Sequence, residues 1–320
     1  MTEIAANSMQ ANDHVPTSQV AASLAACERI VRSRARNFWF GLRMTPRPRR
    51  DALYALYAWM RLGDDLVDEP ASPDAARARF EEFVNTSRCV IAGGCSTDAS
   101  KGHLIREQTP DCWPAFAWLL CTFPLQRPWL EAMLAGLESD LTHTPLQTRH
   151  ELDLYRHRVA GTVGMCCSAI WGLRPGVDPA HAFKLADTRG RAFQMVNILR
   201  DIGRDARESP RRVYVPADAL SRHALCIDDL LAWRNPRACE DLIGEFTTVA
   251  RDEFRESTEL SDLIDPDCVR VLGAMTEIYE GVLRRLETNP RRCIADHAAS
   301  LPTWRKAWIA AKWNLRGAHA

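Results

Sequence analysis

The sequence has no long hydrophobic run. Its longest mostly apolar stretch, Phe116 to Leu125, is about half of the roughly 20 residues a membrane-crossing helix needs. It has no net charge, because 41 Lys and Arg balance 41 Asp and Glu, and that argues against a general binder of polyanions. Its opening residues, MTEIAANSMQANDHVPTSQV, show neither the basic start nor the apolar centre of a secretory leader, so a cytoplasmic protein is expected. None of its 11 cysteines form a CxxC pair; the nearest neighbours are Cys166–Cys167 and Cys89–Cys95. Clustered zinc ligands are therefore missing, and a disulfide scaffold would be far shorter. The thiols are expected to be reduced and buried. Alternating runs of strand length are nearly absent, the one candidate being Arg212–Pro216, which ends on a proline. There is no GxGxxG fingerprint and no repeat of solenoid length.

What is present is a chain of 320 residues, 46% of them apolar, enough for a large core and too many for disorder. Apolar residues recur at helical spacing, as in Leu53, Leu56, Tyr57 and Met60. Pro and Gly punctuate such segments at Pro70, Gly93–Gly94, Pro175, Pro236 and Pro266, among others. The pattern predicts one all-α domain of ten or more helices over residues 17–320. Residues 1–16 are expected to be disordered, and Ala92–His103 to form a loop.

Two acidic helices carry the chemistry. In Arg61-Leu-Gly-Asp64-Asp65-Leu-Val-Asp68, Asp64 and Asp68 are four apart and share one face. Like charges at that spacing cost a few tenths of a kcal/mol, more where burial removes water, unless a cation compensates. Alone, the pair also fits a solvated helix end. The second copy weighs against that reading: Asn197, Asp201 and Asp205 stand at i, i+4 and i+8, with Phe193 one turn earlier. Carboxylates from two helices offer the hard oxygen ligands that suit Mg²⁺, which keeps waters and binds phosphates. A di-iron bundle would want Glu-x-x-His pairs, and Glu151 and His157 are six apart.

These motifs, with Tyr155-Arg-His-Arg-Val159-Ala160-Gly161-Thr-Val-Gly164 and Arg212-Val-Tyr214-Val-Pro216, resemble those of the squalene/phytoene synthase family, from about Arg34 to Trp313. The resemblance implies an all-α class I isoprenoid synthase fold with a central apolar cavity. It implies a head-to-head (1–1′) joining of two prenyl diphosphates through a cyclopropylcarbinyl diphosphate. By resemblance, Asp64, Asp68, Asn197, Asp201 and Asp205 hold Mg²⁺, with Mn²⁺ as a substitute, and Tyr155 belongs with them to the catalytic set. Arg36, Arg61 and Arg200 would contact diphosphates, as planar guanidinium groups do well. Tyr155, Val159, Ala160, Gly161 and Gly164 would line the cavity, and Gln194, Tyr214 and Tyr279 would stand near the diphosphates. Phe38 and Tyr57 are the aromatic candidates for the cavity wall, where a ring face can stabilise a cation by roughly 0.5–2 kcal/mol.

Gly161 and Gly164 each cost about 1 kcal/mol in a helix relative to Ala. Room for a ligand and close packing against another helix both account for them. Two positions depart from the family pattern: Gly63 stands where relatives often carry a branched aliphatic, and Ala35 lacks a hydroxyl. The favoured product is phytoene from two geranylgeranyl diphosphates. Squalene, dehydrosqualene or presqualene diphosphate from farnesyl diphosphate is the alternative, with NADPH required only for squalene. A non-catalytic lipid-binding or assembly protein is the reading from another class, and it would be expected to lose these Asp residues.

Residues 29–50 hold eight Arg and no acid, but no nucleic-acid motif accompanies them, so no nucleic-acid partner is expected. The segment 301–320 carries Arg305, Lys306, Lys312 and Arg316, no acid, and Trp304, Trp308 and Trp313. Trp304, Trp308, Ala311 and Leu315 share a face, which suits either an anionic membrane on its inner side or docking on the core.

Overall fold

The computed structural model describes residues 17–35, 39, 41–68, 73–93, 111–142, 144–295 and 299–316. Residues 1–16, most of the expected loop after Ala92, Arg36, Phe38 and the side chain of Asp68 lie outside this set. In chain order the helices are α1 (Ser18–Arg34), α2 (Arg49–Asp68), α3 (Pro73–Ile91), α4 (Trp113–Thr122) and α5 (Arg127–Thr142). Then follow α6 (Arg149–Arg156), a π-helical turn (His157–Gly161), α7 (Thr162–Trp171) and α8 (Pro179–Asp205). The last are α9 (Ala217–Arg222), α10 (Ile227–Ala232), α11 (Pro236–Glu256), α12 (Leu260–Leu263), α13 (Pro266–Thr288), a 3₁₀ turn (Pro290–Ile294) and α14 (Thr303–Arg316).

Local chemistry explains where the longest helices begin. Asp178, Asn235 and Asp265 each cap the following helix with a side-chain oxygen on its first amides, and a proline occupies the next position. The proline has no amide to leave unsatisfied, and its fixed φ suits the first turn. α6 opens with a reciprocal capping box between Thr148 and Glu151.

The core falls in two clusters that α8 joins. Its Leu185 and Ala186 pack with α2, α4, α5 and α7. Its Ala192, Met195, Val196, Leu199 and Ile202 pack with α11 and α13. In the first cluster Trp59 is fully buried, stacks on Phe116 at 4.5 Å and donates its indole N–H to Ser87 Oγ at 2.9 Å. In the second, the fully buried Arg156 donates to Glu253 at 2.7 Å and pairs with Asp153. A buried guanidinium needs such partners, because desolvation alone would cost several kcal/mol.

The structure bears on three features of the sequence. Gly161 and Gly164 pack closely against α8. A Cβ at Gly164 would lie 2.3 Å from the Ala186 carbonyl oxygen, and one at Gly161 1.9 Å from Asp187 Oδ1. Gly190 answers from α8, where a Cβ would stand 2.1 Å from the Ala160 carbonyl oxygen. Close approach of two backbones therefore offsets their helix cost. The segment Arg212–Pro216 is a loop: among the described residues the only β pairing is an isolated bridge between Leu173 and Ile264. The thiols are not all buried, since Cys89, Cys121 and Cys226 are exposed while Cys27, Cys112, Cys166, Cys239, Cys268 and Cys293 are enclosed.

Candidate active site

Sequence-predicted residues gather in three groups. The first is the end of α2. Tyr57 is half-buried, and loss of water pushes its hydroxyl up to about 12. Arg61 forms an ion pair with Asp65, one turn on, so in this state its charge is spent within the helix. Asp64 is partly buried beside them. Gly63 is explained by its neighbours: a Cβ there would stand 2.7 Å from Leu137 of α5 and 2.9 Å from Phe83 of α3. The space a side chain would occupy is filled from α5 and α3.

The second group is the end of α8. Asn197 donates to Gln194 Oε1 at 3.2 Å. Arg200 grips Asp201 with two hydrogen bonds of 2.9 and 2.5 Å. Arg204 reaches Asp201 at 3.1 Å and Asp205 at 2.8 Å. Burial pushes the Asp205 carboxyl up to about 6 even though Arg204 opposes the shift. The back of this helix end is sealed: a Cβ at Gly203 would meet the Ile294 carbonyl oxygen at 2.3 Å. From α13, Tyr279 lays its ring on Phe193 at 4.4 Å, with Asn197 and Arg200 beside its hydroxyl. Lys306 of α14 adds a further cation: burial and then the Arg200 charge hold its ammonium below the usual range.

The third group is a tyrosine pair on one carboxylate. Tyr155 and Tyr214 stack at 4.9 Å, and both hydroxyls donate to Asp140 of α5, at 3.1 and 3.0 Å. Burial first, then the Asp140 charge, pushes both hydroxyls far above their ordinary range, so they stay protonated donors. They border an open cleft of about 330 Å³ with Leu146 and Arg212. A neighbouring cleft of about 210 Å³ shares Arg212 and Tyr214 and reaches Asp205. The Arg212 amide donates to the Asp205 carbonyl oxygen at 3.0 Å, which ties this loop to the end of α8. Val159 and Ala160 lie in the π-helical turn, both partly buried, and Val159 packs on Gly136 of α5.

Sequence reasoning missed Asp140. A signal existed: Met133, Leu137 and Asp140 stand at i, i+4 and i+7, which puts the carboxylate on the buried stripe of α5. The π-helical turn after Tyr155 was also not foreseen. Such insertions often mark functional sites. Among the described residues no three His, Cys, Asp or Glu side chains converge tightly enough to hold a metal unaided.

The Squalene/phytoene synthase family model matches residues 31–305. This chain belongs to that family. The 15-cis-phytoene synthase of Synechocystis sp. is 29% identical over 311 residues, covering 93% of this chain and 88% of its own. Phytoene synthase 1 of Solanum lycopersicum is 31% identical over 266 residues, covering 82% of this chain and 61% of its own. Among solved structures, a dehydrosqualene synthase in complex with ligand superposes with a TM-score of 0.75 at 23% identity, over 96% of this chain and all of that one. The fold is therefore the all-α isoprenoid synthase fold. As a squalene/phytoene synthase the chain is a prenyltransferase, and its chemistry is head-to-head prenyl condensation. The acidic motifs that drew attention in the sequence end two of its helices, α2 and α8.

Proposed function

We propose that this enzyme joins two geranylgeranyl diphosphates to phytoene with Mg²⁺ as its metal, and with Mn²⁺ able to replace it. The observation that carries the reading is the end of α8, where Asp201 and Asp205 sit with Arg200, Arg204 and Asn197 beside the Tyr155–Asp140–Tyr214 cleft. The phytoene synthases among its relatives favour the C20 substrate.

The donor set fits a hard divalent cation: all-oxygen ligands at one-turn spacing, with Asp205 still short of compensating charge after Arg204 is counted. Asp64, Asp68, Asn197, Asp201 and Asp205 are the proposed ligands. Bound there, the metal supplies Lewis-acid neutralisation of a departing diphosphate.

The remaining work falls to side chains. Arg36, Arg61 and Arg200 pair with diphosphate oxygens, Arg61 and Arg200 exchanging their present Asp partners for the substrate. The first C1–O bond breaks, and its electron pair leaves with the diphosphate. The double bond of the second substrate then attacks the allylic cation, and loss of a proton closes a cyclopropylcarbinyl diphosphate. A second ionisation, rearrangement and proton loss give the 1–1′ joined hydrocarbon. Tyr155 and Tyr214 are held in their protonated form beside Asp140, and each would turn its single O–H from that carboxylate to the leaving oxygens. Tyr57, Phe38, Val159 and Ala160 flank the prenyl chains, and Gln194 and Tyr279 border the second ionisation. Dryness matters because water would trap the cation.

An Asp201→Ala variant tests the metal assignment. It is expected to release no diphosphate and to lose Mg²⁺ binding by calorimetry. Turnover near that of the parent would overturn the assignment.

A further inference from the structure

α14 is docked by one face and bare on the other. Ile309 is buried, and the Trp313 ring covers Gly273, where a Cβ would lie 2.4 Å from it. Glu277 of α13 fixes this face by accepting from Trp313 Nε1 at 2.8 Å and Lys312 Nζ at 2.7 Å. On the opposite face Trp304 is 71%, Trp308 58% and Leu315 66% exposed, with Ala311 between them also exposed. These three, with Leu154, are the exposed large hydrophobics among the described residues. Large apolar side chains gathered on one exposed stripe mark an interaction surface, whereas scattered ones need no explanation.

The charge around the stripe identifies what covers it. α14 contains no acid. Lys312 holds its ammonium 5.3 Å from the Trp308 ring. Where α13 and the 3₁₀ turn reach the start of α14, partial burial and then the charges of Arg292 and Arg305 lower the Arg285 pKa, so three arginines crowd one spot. A rigidly docked helix with an indole stripe, flanked by cations, fits the headgroup layer of an anionic bilayer. Indole rings settle at that depth, and each nearby Lys or Arg strengthens the attraction.

We propose that the Trp304–Trp308–Leu315 stripe, flanked by Arg292 and Arg305, is a docking face for an anionic lipid bilayer. This surface does not depend on the identity of the reaction. If the proposed hydrocarbon product is right, the same face places the enzyme beside the phase into which that product passes.

The test is vesicle flotation of the full chain. Vesicles of phosphatidylcholine alone are compared with vesicles containing about one third phosphatidylglycerol, chosen for their anionic surface. The parent protein is expected to float with the anionic vesicles, to float poorly with the neutral ones, and to lose binding as salt rises. A Trp304→Ser/Trp308→Ser/Leu315→Ser variant is expected to bind roughly tenfold less or weaker still. An Arg292→Gln/Arg305→Gln variant is expected to lose the preference for anionic vesicles. Circular dichroism and a thermal melt verify that both variants are folded. No binding by the parent, or equal binding by the folded triple variant, would overturn the proposal. So would a parent dimer in sedimentation that the triple variant converts to monomer without any lipid binding, which would make the stripe an interface between copies. Diphosphate release in detergent solution is measured separately, so failure of lipid docking is distinguishable from failure of the reaction.

Discussion

The hydroxyls of Tyr155 and Tyr214 donate to the same carboxylate, Asp140, at 3.1 and 3.0 Å. The two rings come from α6 and from the loop after α8, stack on each other, and share the acid that α5 presents. A carboxylate acceptor makes each bond charge-assisted, and it keeps both phenols in their donating form.

Asp140→Ala should lower turnover by about a hundredfold, in the range of a lost positioned donor, because both phenols lose their anchor. Asp140→Asn, which keeps an acceptor oxygen but not the charge, should recover part of that loss. Steady-state kinetics of the two variants provide the comparison. Equal, near-parental rates in both would dissociate Asp140 from the chemistry.

Gly63→Val should destabilise this chain. The new side chain would collide with Leu137 and Phe83, and overpacking costs about 1–3 kcal/mol. A denaturant titration measures the loss. Pairing the change with Leu137→Ala should recover part of it.

Gly164→Ala should cost at least as much, because its obstacle is the Ala186 backbone and not a flexible side chain. The expected loss is about 2–4 kcal/mol, at the upper end of single-residue effects. A thermal melt that moves by less than a degree would contradict the tight approach of α7 to α8.

Arg49 and Asp265 pair at 2.8 Å and join the start of α2 to the cap of α13. Burial alone would raise the Asp265 carboxyl, but the Arg49 hydrogen bond, the Asp267 amide and nearby positive charge hold it below the usual range. A depressed carboxylate contributes stability that is present above its unfolded pKa and lost as pH falls through its folded one. The parent should therefore lose this contribution between about pH 5 and pH 2. Asp265→Asn should be less stable near neutrality and should show a shallower decline across that window.

The fold class was legible because period and punctuation agree. The apolar positions of α2 recur at three and four, and the Asp-Pro and Asn-Pro pairs stand where α8, α11 and α13 begin. The stripe Asn197–Asp201–Asp205 was legible because one-turn spacing needs no tertiary information. What could not be read was partnership across elements. Gly161 and Gly164 looked equally suited to a ligand or a helix, and only the position of α8 reveals the helix contact. Asp140 carries no motif of its own, and its importance comes from two tyrosines 15 and 74 residues away. Arg61 and Arg200 were read as diphosphate contacts, and here each is paired with an Asp on its own helix. The face of α14 was left between core and membrane; packing turns Ile309 and Trp313 inward and leaves Trp304 and Trp308 exposed.

The central claim, phytoene formation from two C20 prenyl diphosphates, is tested most directly by incubating the purified enzyme with Mg²⁺ and geranylgeranyl diphosphate. A parallel reaction uses farnesyl diphosphate, and mass spectrometry reads the products of both, with and without NADPH. The account predicts a C40 hydrocarbon from the C20 substrate that forms without NADPH and disappears when Mg²⁺ is chelated. A C30 product from the C15 substrate alone, or no product from either, would contradict it.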